Sequence, residues 1–341
     1  MNTITILVTG AAGFIGSHLC EALLGIRQLD HTISSDEAGS HIKVIGLDNF
    51  CDFYSPAVKW QNIQSCLANK SFTLVEADIR DKKKIQELFS SYKIDVVVHL
   101  AAMPGVRLSI KNPELYTDVN VNGTLTLLEA CKQYEVTNFL FGSSSSVYGN
   151  NPKLPFSESD RVDNPISPYA ATKKAGELLS YTYHHLYNIS TICLRFFTVY
   201  GPRQRPDLAI HFFARRMLQG EPIPLFGNGS SERDYTYIDD IVAGVLRAIH
   251  FVQTGTHYEI FNLGESRTIS LNKMVETLEK TLATKAKKKS VPMPPGDVIR
   301  TYADIEKSKK LLGYNPNTPF EEGIQKFVDW LKNSSPNPPI K

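Results

Sequence analysis

The sequence of 341 residues predicts an α/β fold in which a parallel sheet carries helices on both faces. Short apolar runs alternate with amphipathic helical patterns as far as residue 202, and a glycine-rich turn joins the first run to the first helix. After Gly201-Pro202 the strict alternation ends. Repeated strand–helix units joined by short turns are typical of such sheets. We therefore expect a main domain over residues 1–202, a smaller α/β substrate-binding region over 203–332 and a tail over 333–341.

The composition is that of an ordinary globular protein, with 42% hydrophobic and 21% charged residues. A formal net charge of +2 is too small to suggest nucleic-acid or membrane binding. We expect neither a signal peptide nor a membrane helix, because the N-terminus has no basic region and no run approaches ~18 apolar residues. The five cysteines are scattered without a C-x-x-C pair. This spacing favours free thiols in the cytoplasm and argues against a disulfide framework or a metal site.

The first strand is predicted at residues 4–9, and it leads directly into Gly10-x-x-Gly13-x-x-Gly16 and a helix through residue 24. The glycines permit a tight turn and a close backbone approach to a pyrophosphate. The helix N-terminus offers free N–H groups and the positive end of a dipole. This order of strand, turn and helix predicts a dinucleotide site and a Rossmann-type, doubly wound sheet.

The second strand is predicted at residues 43–47, after a surface insertion over residues 25–40, and it ends at Asp48. A carboxylate at this place can accept hydrogen bonds from an adenosine ribose. It would also repel a 2′-phosphate, so we expect NAD rather than NADP. The alternative is a loop aspartate that caps the next segment.

Further strands are predicted at 72–76, 95–100, 137–141 and 191–197, with helices at 81–91 and 115–134. Asp78-Ile79 follow the third strand and could flank the adenine. Ala101-Ala102 follow the fourth strand, and small residues there let a cofactor lie against the backbone. His99 is expected to pack in the core, and Asn120 to point to either the core or the cofactor.

Four consecutive hydroxyls, Ser143 to Ser146, follow the fifth strand. Ligands bind at the carboxyl ends of the strands in such sheets, so these hydroxyls can donate to a substrate oxygen. A serine-rich stretch is otherwise an ordinary loop.

A helix over residues 168–187 is predicted to start at the Ser167 cap, with Pro168 in its first turn. Tyr169 and Lys173 are four residues apart and share one face of this helix. An ammonium beside a phenol lowers the phenol pKa from ~10 toward neutrality. Such a phenol is a general base for an alcohol proton. The alternative is an exposed helix that happens to carry both residues.

The region after residue 202 has helical patterns near 207–219, 238–252, 270–283 and 319–332, with a strand-like piece at 259–261. Its arginines suit diphosphates or carboxylates, although each one alone could be a solvated charge. The lysine run at 285–289 is expected to be an exposed loop.

These motifs together resemble the extended short-chain dehydrogenase/reductases that act on nucleotide sugars, over residues 6–330. The chain looks most like the UDP-glucuronate 4-epimerases, also called UDP-galacturonate 4-epimerases. The matching stretches are 48–50, 99–102, 105–107, 144–149, 194–202, 205–207, 233–240 and 296–298.

The resemblance implies a reversible oxidation at C4 of a UDP-sugar, with NAD bound throughout. Tyr169 takes the proton of the 4-hydroxyl, Lys173 lowers the Tyr169 pKa and hydrogen-bonds the nicotinamide ribose, and Ser144 hydrogen-bonds the 4-oxygen. The 4-keto sugar then turns over and takes the hydride back on its other face. Relatives commonly dimerise through two long helices, here 115–134 and 168–187, and UDP-galacturonate usually feeds surface polysaccharides.

The resemblance also implies two sets of binding residues. The NAD set is Gly10, Gly13, Phe14, Ile15, Gly16, Asp48, Asn49, Asp78, Ile79, Leu100, Ala101, Ala102, Asn120, Ser143, Tyr169, Lys173, Phe196 and Val199. The substrate set is Arg107, Ser144, Ser145, Ser146, Tyr169, Thr198, Arg205, Phe226, Arg233 and Asp297. Within the second set Arg233 contacts the diphosphate and Asp297 the uridine ribose. The candidates for the sugar carboxylate are Ser145, Ser146, Thr198 and Arg205.

Two serines separate this chain from relatives with other chemistry. The 4,6-dehydratases carry Asp-Glu where Ser145 and Ser146 stand, and the UDP-xylose-forming decarboxylases carry Glu at the place of Ser146. UDP-glucose and UDP-N-acetylglucosamine 4-epimerases share the catalytic residues and stay open as alternatives. A non-catalytic NAD-sensing protein is a third alternative. Pro294 replaces a diphosphate-contacting Arg or Gln of some epimerases, so that contact is either missing or supplied elsewhere, with Arg300 as a candidate.

Overall fold

The computed structural model describes residues 3–29, 41–292 and 298–334. Most of the predicted insertion at 25–40 and most of the tail lie outside these residues. Pro294 and Asp297 also lie outside them.

Most strands of the described chain belong to one parallel sheet. The strands are β1 Thr3–Thr9, β2 His41–Asp48, β3 Phe72–Glu76, β4 Val96–His99, β5 Asn138–Ser144, β6 Ser190–Phe196, β7 Thr198–Tyr200, β8 Ile223–Phe226, β9 Glu232–Tyr237, β10 Tyr258–Leu263, β11 Thr268–Ser270 and β12 Lys288–Val291. Seven of these described strands form the main sheet in the order β10-β6-β5-β4-β1-β2-β3. The strand order reverses between β1 and β4, and ligands bind at such a switch point. The parallel α/β prediction is therefore confirmed.

The helices cover both faces of this sheet. They are α1 Phe14–Leu23, α2 Pro56–Asn62, α3 Gln64–Leu67, α4 Lys82–Ser91, α5 Val106–Lys111, α6 Pro113–Thr117, α7 Gly123–Gln133, α8 Pro168–Tyr187, α9 Ala209–Leu218, α10 Ile238–Val252, α11 Leu271–Leu282, α12 Glu306–Leu312 and α13 Phe320–Asn333. One apolar core includes Leu19 of α1 and Val245 of α10. A second core includes Ile85 of α4 and Leu127 of α7. Within the described ranges, no helix has the length and apolarity that a membrane span requires.

The region beyond residue 202 shares the main sheet. Strand β10 pairs in parallel with β6, from Tyr258 opposite Thr191 to Leu263 opposite Phe196. Of the other strands beyond residue 202, β9 and β11 form a three-stranded sheet with the earlier strand β7, in the order β11-β9-β7, and β12 pairs with β8. The lysine run at 285–289 differs from the expected loop, because Lys288 and Lys289 begin β12 and pair with β8. The division at residue 202 stays a prediction.

The predicted helix over 115–134 is interrupted by a π-helical segment at Asp118–Asn122, between α6 and α7. This segment contains the buried Asn120, whose amide binds neighbouring backbone and a side chain. Single π turns within α-helices are frequent at functional sites.

Candidate active site

A cleft of about 400 Å³ opens at the carboxyl ends of the parallel strands. Most of the predicted cofactor residues line it, namely Gly10, Gly13, Phe14, Ile15, Gly16, Asp48, Asn49, Asp78, Ile79, Leu100, Ala101, Ala102, Ser143, Tyr169, Lys173 and Phe196. Asn120 and Val199 lie elsewhere: Asn120 is buried in the π segment, and Val199 is a core residue of β7. Arg205, from the predicted substrate set, also faces the cleft.

The glycine turn is sterically closed at two of its three glycines. Gly10 has φ +71°, and a Cβ there would lie 2.9 Å from the Ala101 nitrogen. A Cβ on Gly16 would lie 2.1 Å from the Gly10 carbonyl oxygen. Helix α1 begins after Gly13, and no described side chain caps its first N–H groups. These features fit an anionic group of a dinucleotide at this helix N-terminus.

Asp48 is fixed beside the glycine turn by backbone donors. Its Oδ2 accepts a hydrogen bond from the Ala12 N–H at 3.1 Å, and its Oδ1 accepts one from the Phe50 N–H at 2.8 Å. The Lys59 ammonium lies 3.8 Å from Oδ1. Asp48 therefore has the capping role of the alternative prediction. Because an ionised carboxylate has about four acceptor sites, it can still accept from a ribose.

A chain of polar contacts leads along the rim from Asn49. The Asn49 amide donates to Asp78 at 2.9 Å, and Arg80 donates to both oxygens of that carboxylate. Arg80 also donates to Asp118 at 2.7 Å. The hydrogen bonds from Arg80 lower the pKa of Asp78 to about 2.

The Asn120 side chain holds neighbouring chain segments together. Its Oδ1 accepts from the Met103 N–H at 2.7 Å, and its Nδ2 donates to the Met103 carbonyl and to Thr172 at 3.0 and 3.1 Å. Of the two orientations expected for Asn120, the structure has the one toward the core. His99 packs in the core as predicted, between Thr9 and Thr124.

Helix α8 begins as predicted, with the Ser167 hydroxyl accepting from the Ala170 N–H at 3.1 Å. Lys173 is buried on this helix, and its Nζ donates to the Gly142 carbonyl at 2.7 Å. The same ammonium lies 5.1 Å from the Phe141 ring centroid. Burial lowers the pKa of Lys173 to about 8. Lys173 is thus held against the end of β5.

Tyr169 is half-buried at the cleft, and its neighbours oppose the effect of desolvation on its phenol. Desolvation raises its pKa, whereas a hydrogen bond with Ser144 and the charge of Arg205 lower it. This differs from the expectation that Lys173 lowers the Tyr169 pKa. The physical reason is that the Lys173 ammonium is directed to the Gly142 carbonyl. The cation that acts on Tyr169 here is Arg205.

The serine-rich stretch divides between two environments. Ser144 is the last residue of β5 and lies opposite Phe196 of β6. Its hydroxyl lies 3.2 Å from the Ser146 hydroxyl and accepts from the Ser146 N–H at 3.2 Å. Ser145 and Ser146 begin a 3₁₀ turn and are half-buried. Ser143, although it lines the cleft, donates to Glu177 at 2.7 Å.

The predicted arginines differ in their surroundings. Arg205 donates to Asp207 from Nε at 3.0 Å and from Nη2 at 2.9 Å. The Arg107 guanidinium lies 4.6 Å from the Phe226 ring centroid, which brings these two predicted substrate residues together. Arg233 donates to the Glu232 carbonyl at 2.9 Å. Arg300, the candidate to replace the contact at Pro294, forms an ion pair with Glu232 at 2.7 Å.

Several cleft residues were absent from the sequence prediction. They include Cys51, Phe53, Tyr54, Lys59, Arg80, Met103 and Pro104. The Lys59 ammonium lies 3.2 Å from the Cys51 sulfur. Proximity in sequence to Asp48 is the signal that could have identified the 51–59 segment. Among the described residues, no group of three or more His, Cys, Asp and Glu side chains could hold a metal ion.

Known proteins of one enzyme family resemble this chain in both sequence and fold. The model of the NAD-dependent epimerase/dehydratase family matches residues 6–264. The UDP-glucuronate 4-epimerase of Thermodesulfobacterium geofontis is 42% identical over 330 residues, which are 96% of this chain and 96% of that protein. The Bacillus cereus UDP-glucuronic acid 4-epimerase, solved with UDP-glucuronic acid and NAD, is 39% identical with a TM-score of 0.87 over 96% of this chain and 99% of that one. The Thermotoga maritima UDP-glucose 4-epimerase, solved with UDP-glucose, is 31% identical with a TM-score of 0.83 over the same shares.

Proposed function

The chain belongs to the NAD-dependent epimerase/dehydratase family, and from this membership we propose that it is a UDP-glucuronate 4-epimerase. The reaction interconverts UDP-glucuronate and UDP-galacturonate through a transient 4-keto sugar. Support comes from the high coverage and identity of UDP-glucuronate 4-epimerases from two organisms. The UDP-glucose 4-epimerase shares a smaller fraction of identical residues with this chain than the UDP-glucuronate 4-epimerases do. This difference favours the uronate over the neutral sugar as substrate.

The observation that carries the proposal is the meeting of Tyr169 with Ser144 at the end of β5. The Tyr169 phenolate accepts the proton of the sugar 4-hydroxyl and later returns it. The Ser144 hydroxyl hydrogen-bonds the same oxygen and holds it against the phenol. Bound NAD supplies the acceptor and donor of the hydride. Lys173, whose ammonium is buried beside Gly142, is close enough to the cleft to bind a ribose hydroxyl.

The serines after Ser144 support epimerisation of a uronate. Dehydration and decarboxylation need a carboxylic acid or a carboxylate near C5 and C6, and neither Ser145 nor Ser146 supplies one. Hydroxyls and an arginine can instead bind a carboxylate through charge-assisted hydrogen bonds. Ser145, Ser146, Thr198 and Arg205 form this proposed carboxylate site. Arg233 is proposed to bind the diphosphate, and Asp297 the uridine ribose.

The test is incubation of the purified protein with UDP-glucuronate, followed by chromatography of the nucleotide sugars. We expect UDP-galacturonate to appear until an equilibrium ratio is reached, and the same ratio to be approached from UDP-galacturonate. Interconversion of UDP-glucose and UDP-galactose without turnover of the uronates would overturn the substrate assignment. Absence of any interconversion, with NAD bound, would favour the non-catalytic alternative.

We also propose that the protein is a cytoplasmic homodimer. Helix α8 exposes Leu178, Tyr181 and Leu186 by 56%, 51% and 58%, and Leu125 of α7 is 37% exposed. Monomeric proteins rarely present large apolar patches to water. A second copy of the chain, packed through the same two helices, would bury these side chains. Light scattering of the wild type and of a Leu178→Lys, Leu186→Lys variant tests this, with a dimer expected for the first and a monomer for the second.

A further inference from the structure

A buried ion pair lies behind the residues that face the cleft. The side chains of Arg195 on β6 and Glu177 on α8 are 1% and 0% exposed. Arg195 donates from Nε to Oε1 at 2.8 Å and from Nη2 to Oε2 at 2.9 Å. Such pairs lose hydration on burial, and well-packed apolar residues in their place are often as stable or more so. Fold stability alone therefore does not account for this pair.

Glu177 of this pair also takes part in a series of contacts between strand β5 and helix α8. Two successive strand residues are hydrogen-bonded to the helix: the Gly142 carbonyl accepts from Lys173 at 2.7 Å, and the Ser143 hydroxyl donates to Glu177 at 2.7 Å. The next strand residue, Ser144, is close enough to Tyr169 to lower the pKa of its phenol. One residue before Gly142, the Phe141 ring packs so closely against α8 that a Cβ on Gly176 would lie 2.1 Å from it. Glu177 thus bonds the strand residue that immediately precedes Ser144.

We propose that Glu177 and Arg195 are positioning residues for Tyr169. The Glu177 carboxylate joins α8 to β5 through Ser143 and to β6 through Arg195. These bonds fix the position of α8 relative to β5 and β6 and its rotation about its own axis. They thereby place the Tyr169 phenol beside the Ser144 hydroxyl. Neither Glu177 nor Arg195 lines the cleft, so both act through the residues that do. The inference rests on the proposed function, because it concerns the base of that reaction.

The surroundings of Tyr169 give the expected sign of a change. Ser144 of β5 and the Arg205 guanidinium, itself bound to Asp207, lower the Tyr169 pKa. Tyr116 of α6 packs edge-on against its ring at 6.3 Å. Lys173 follows one turn later on the same helix and faces Gly142. A shift of α8 weakens the Ser144 hydrogen bond, so the Tyr169 pKa rises further and less phenolate is present at neutral pH.

The main experiment is the double variant Glu177→Leu with Arg195→Met, which removes both charges and leaves neither unpaired. We expect bound NAD and cooperative unfolding to persist, KM to change less than twofold and kcat to fall about 10- to 100-fold. The rise of kcat with pH is expected to move to higher pH. The matched control is Lys174→Met, because Lys174 touches the same carboxylate at 3.4 Å from the partly exposed side. The control should keep wild-type kcat and pH dependence.

A folded double variant with wild-type kcat and pH dependence would overturn the proposal. If the double variant does not fold, Arg195→Lys decides, because it keeps one buried cation and loses the two-point contact. We then expect a smaller fall in kcat with the same direction of pH change, and no change in either quantity would contradict the proposal. The Tyr169 pKa is also measured without substrate, by ultraviolet difference titration against Tyr169→Phe. That measurement tests the positioning role even if the wild type turns over no uronate.

Discussion

The Asp207 carboxylate holds the Arg205 guanidinium through two hydrogen bonds, of 3.0 Å from Nε and 2.9 Å from Nη2. The guanidinium also lies 5.5 Å from the Phe53 ring centroid, and it acts on the Tyr169 phenol. Because the guanidinium is planar, these two hydrogen bonds also fix the direction in which Nη1 points. Arg205 is therefore oriented by the protein before any sugar binds, with its charge balanced by Asp207.

The first prediction concerns this arginine and the sugar carboxylate. Arg205→Ala should raise KM for UDP-glucuronate about 10-fold or more relative to KM for UDP-glucose, because a hydrogen bond to a charged group contributes ~1.5–3 kcal/mol. Steady-state kinetics with both nucleotide sugars measure the ratio. Arg161→Ala, at an exposed arginine, is the control and should leave both constants unchanged. An equal rise for both sugars would remove Arg205 from carboxylate recognition.

The second prediction concerns the phenol. Tyr169→Phe should retain bound NAD, because the ring still packs against Tyr116, while kcat falls about 10²- to 10⁴-fold through loss of the base. The cofactor is assayed in the denatured protein, and turnover by chromatography. Tyr181→Phe is the matched control on the same helix, at a ring that is 51% exposed. Turnover at the wild-type rate in Tyr169→Phe would exclude this role.

The third prediction is the effect of the neighbouring hydroxyl on pH dependence. The Ser144 hydrogen bond lowers the Tyr169 pKa against the effect of burial. Ser144→Ala therefore raises that pKa, and the increase of kcat with pH should move to higher pH. A pH–kcat profile measures the shift, with Ser159→Ala as an exposed serine control. A lower kcat with an unmoved profile would limit Ser144 to holding the substrate.

The fourth prediction separates stability from activity. Glu265 is 9% exposed, its Oε2 has no hydrogen-bond partner among the described residues, and burial raises its pKa from 4.5 to about 8. Between about pH 5 and 8 the folded state holds a proton that the unfolded state has released, so this group makes the fold less stable as pH rises. Glu265→Gln removes this loss and should become more stable relative to wild type toward pH 8, by up to a few kcal/mol at about 1.4 kcal/mol per pKa unit.

Urea unfolding at pH 5 and pH 8 measures this difference. The control is Glu276→Gln, at an exposed position of α11, which should leave the pH dependence unchanged. A constant offset between Glu265→Gln and the wild type at both pH values would show that the carboxyl is ionised in the fold.

Local chemistry made much of the fold predictable from the sequence. The β-branched run before Gly10 and the Ser167-Pro168 start of α8 each determine a nearby structure, and both have the predicted geometry. Contacts between distant segments carry no such signal. The ion pair of Glu177 with Arg195 and the carbonyl bound by Lys173 depend on how α8 packs against β5 and β6. Val199 is predicted to bind NAD, and it follows Thr198, which is predicted to bind substrate. The pairing of β7 with β9 instead places the Val199 side chain in the core.

The pairing of β10 with β6 has a consequence for folding during synthesis of the chain on the ribosome. Until residue 263 has been synthesised, β6 ends the main sheet, and the backbone groups along the edge that β10 later covers have no strand partner. An exposed edge of this kind can recruit strands from other nascent chains. Strand β10 therefore covers an edge of the main sheet that the earlier part of the chain leaves open. A protein cut after residue 202 would leave the same edge open permanently, so we expect such a fragment to aggregate.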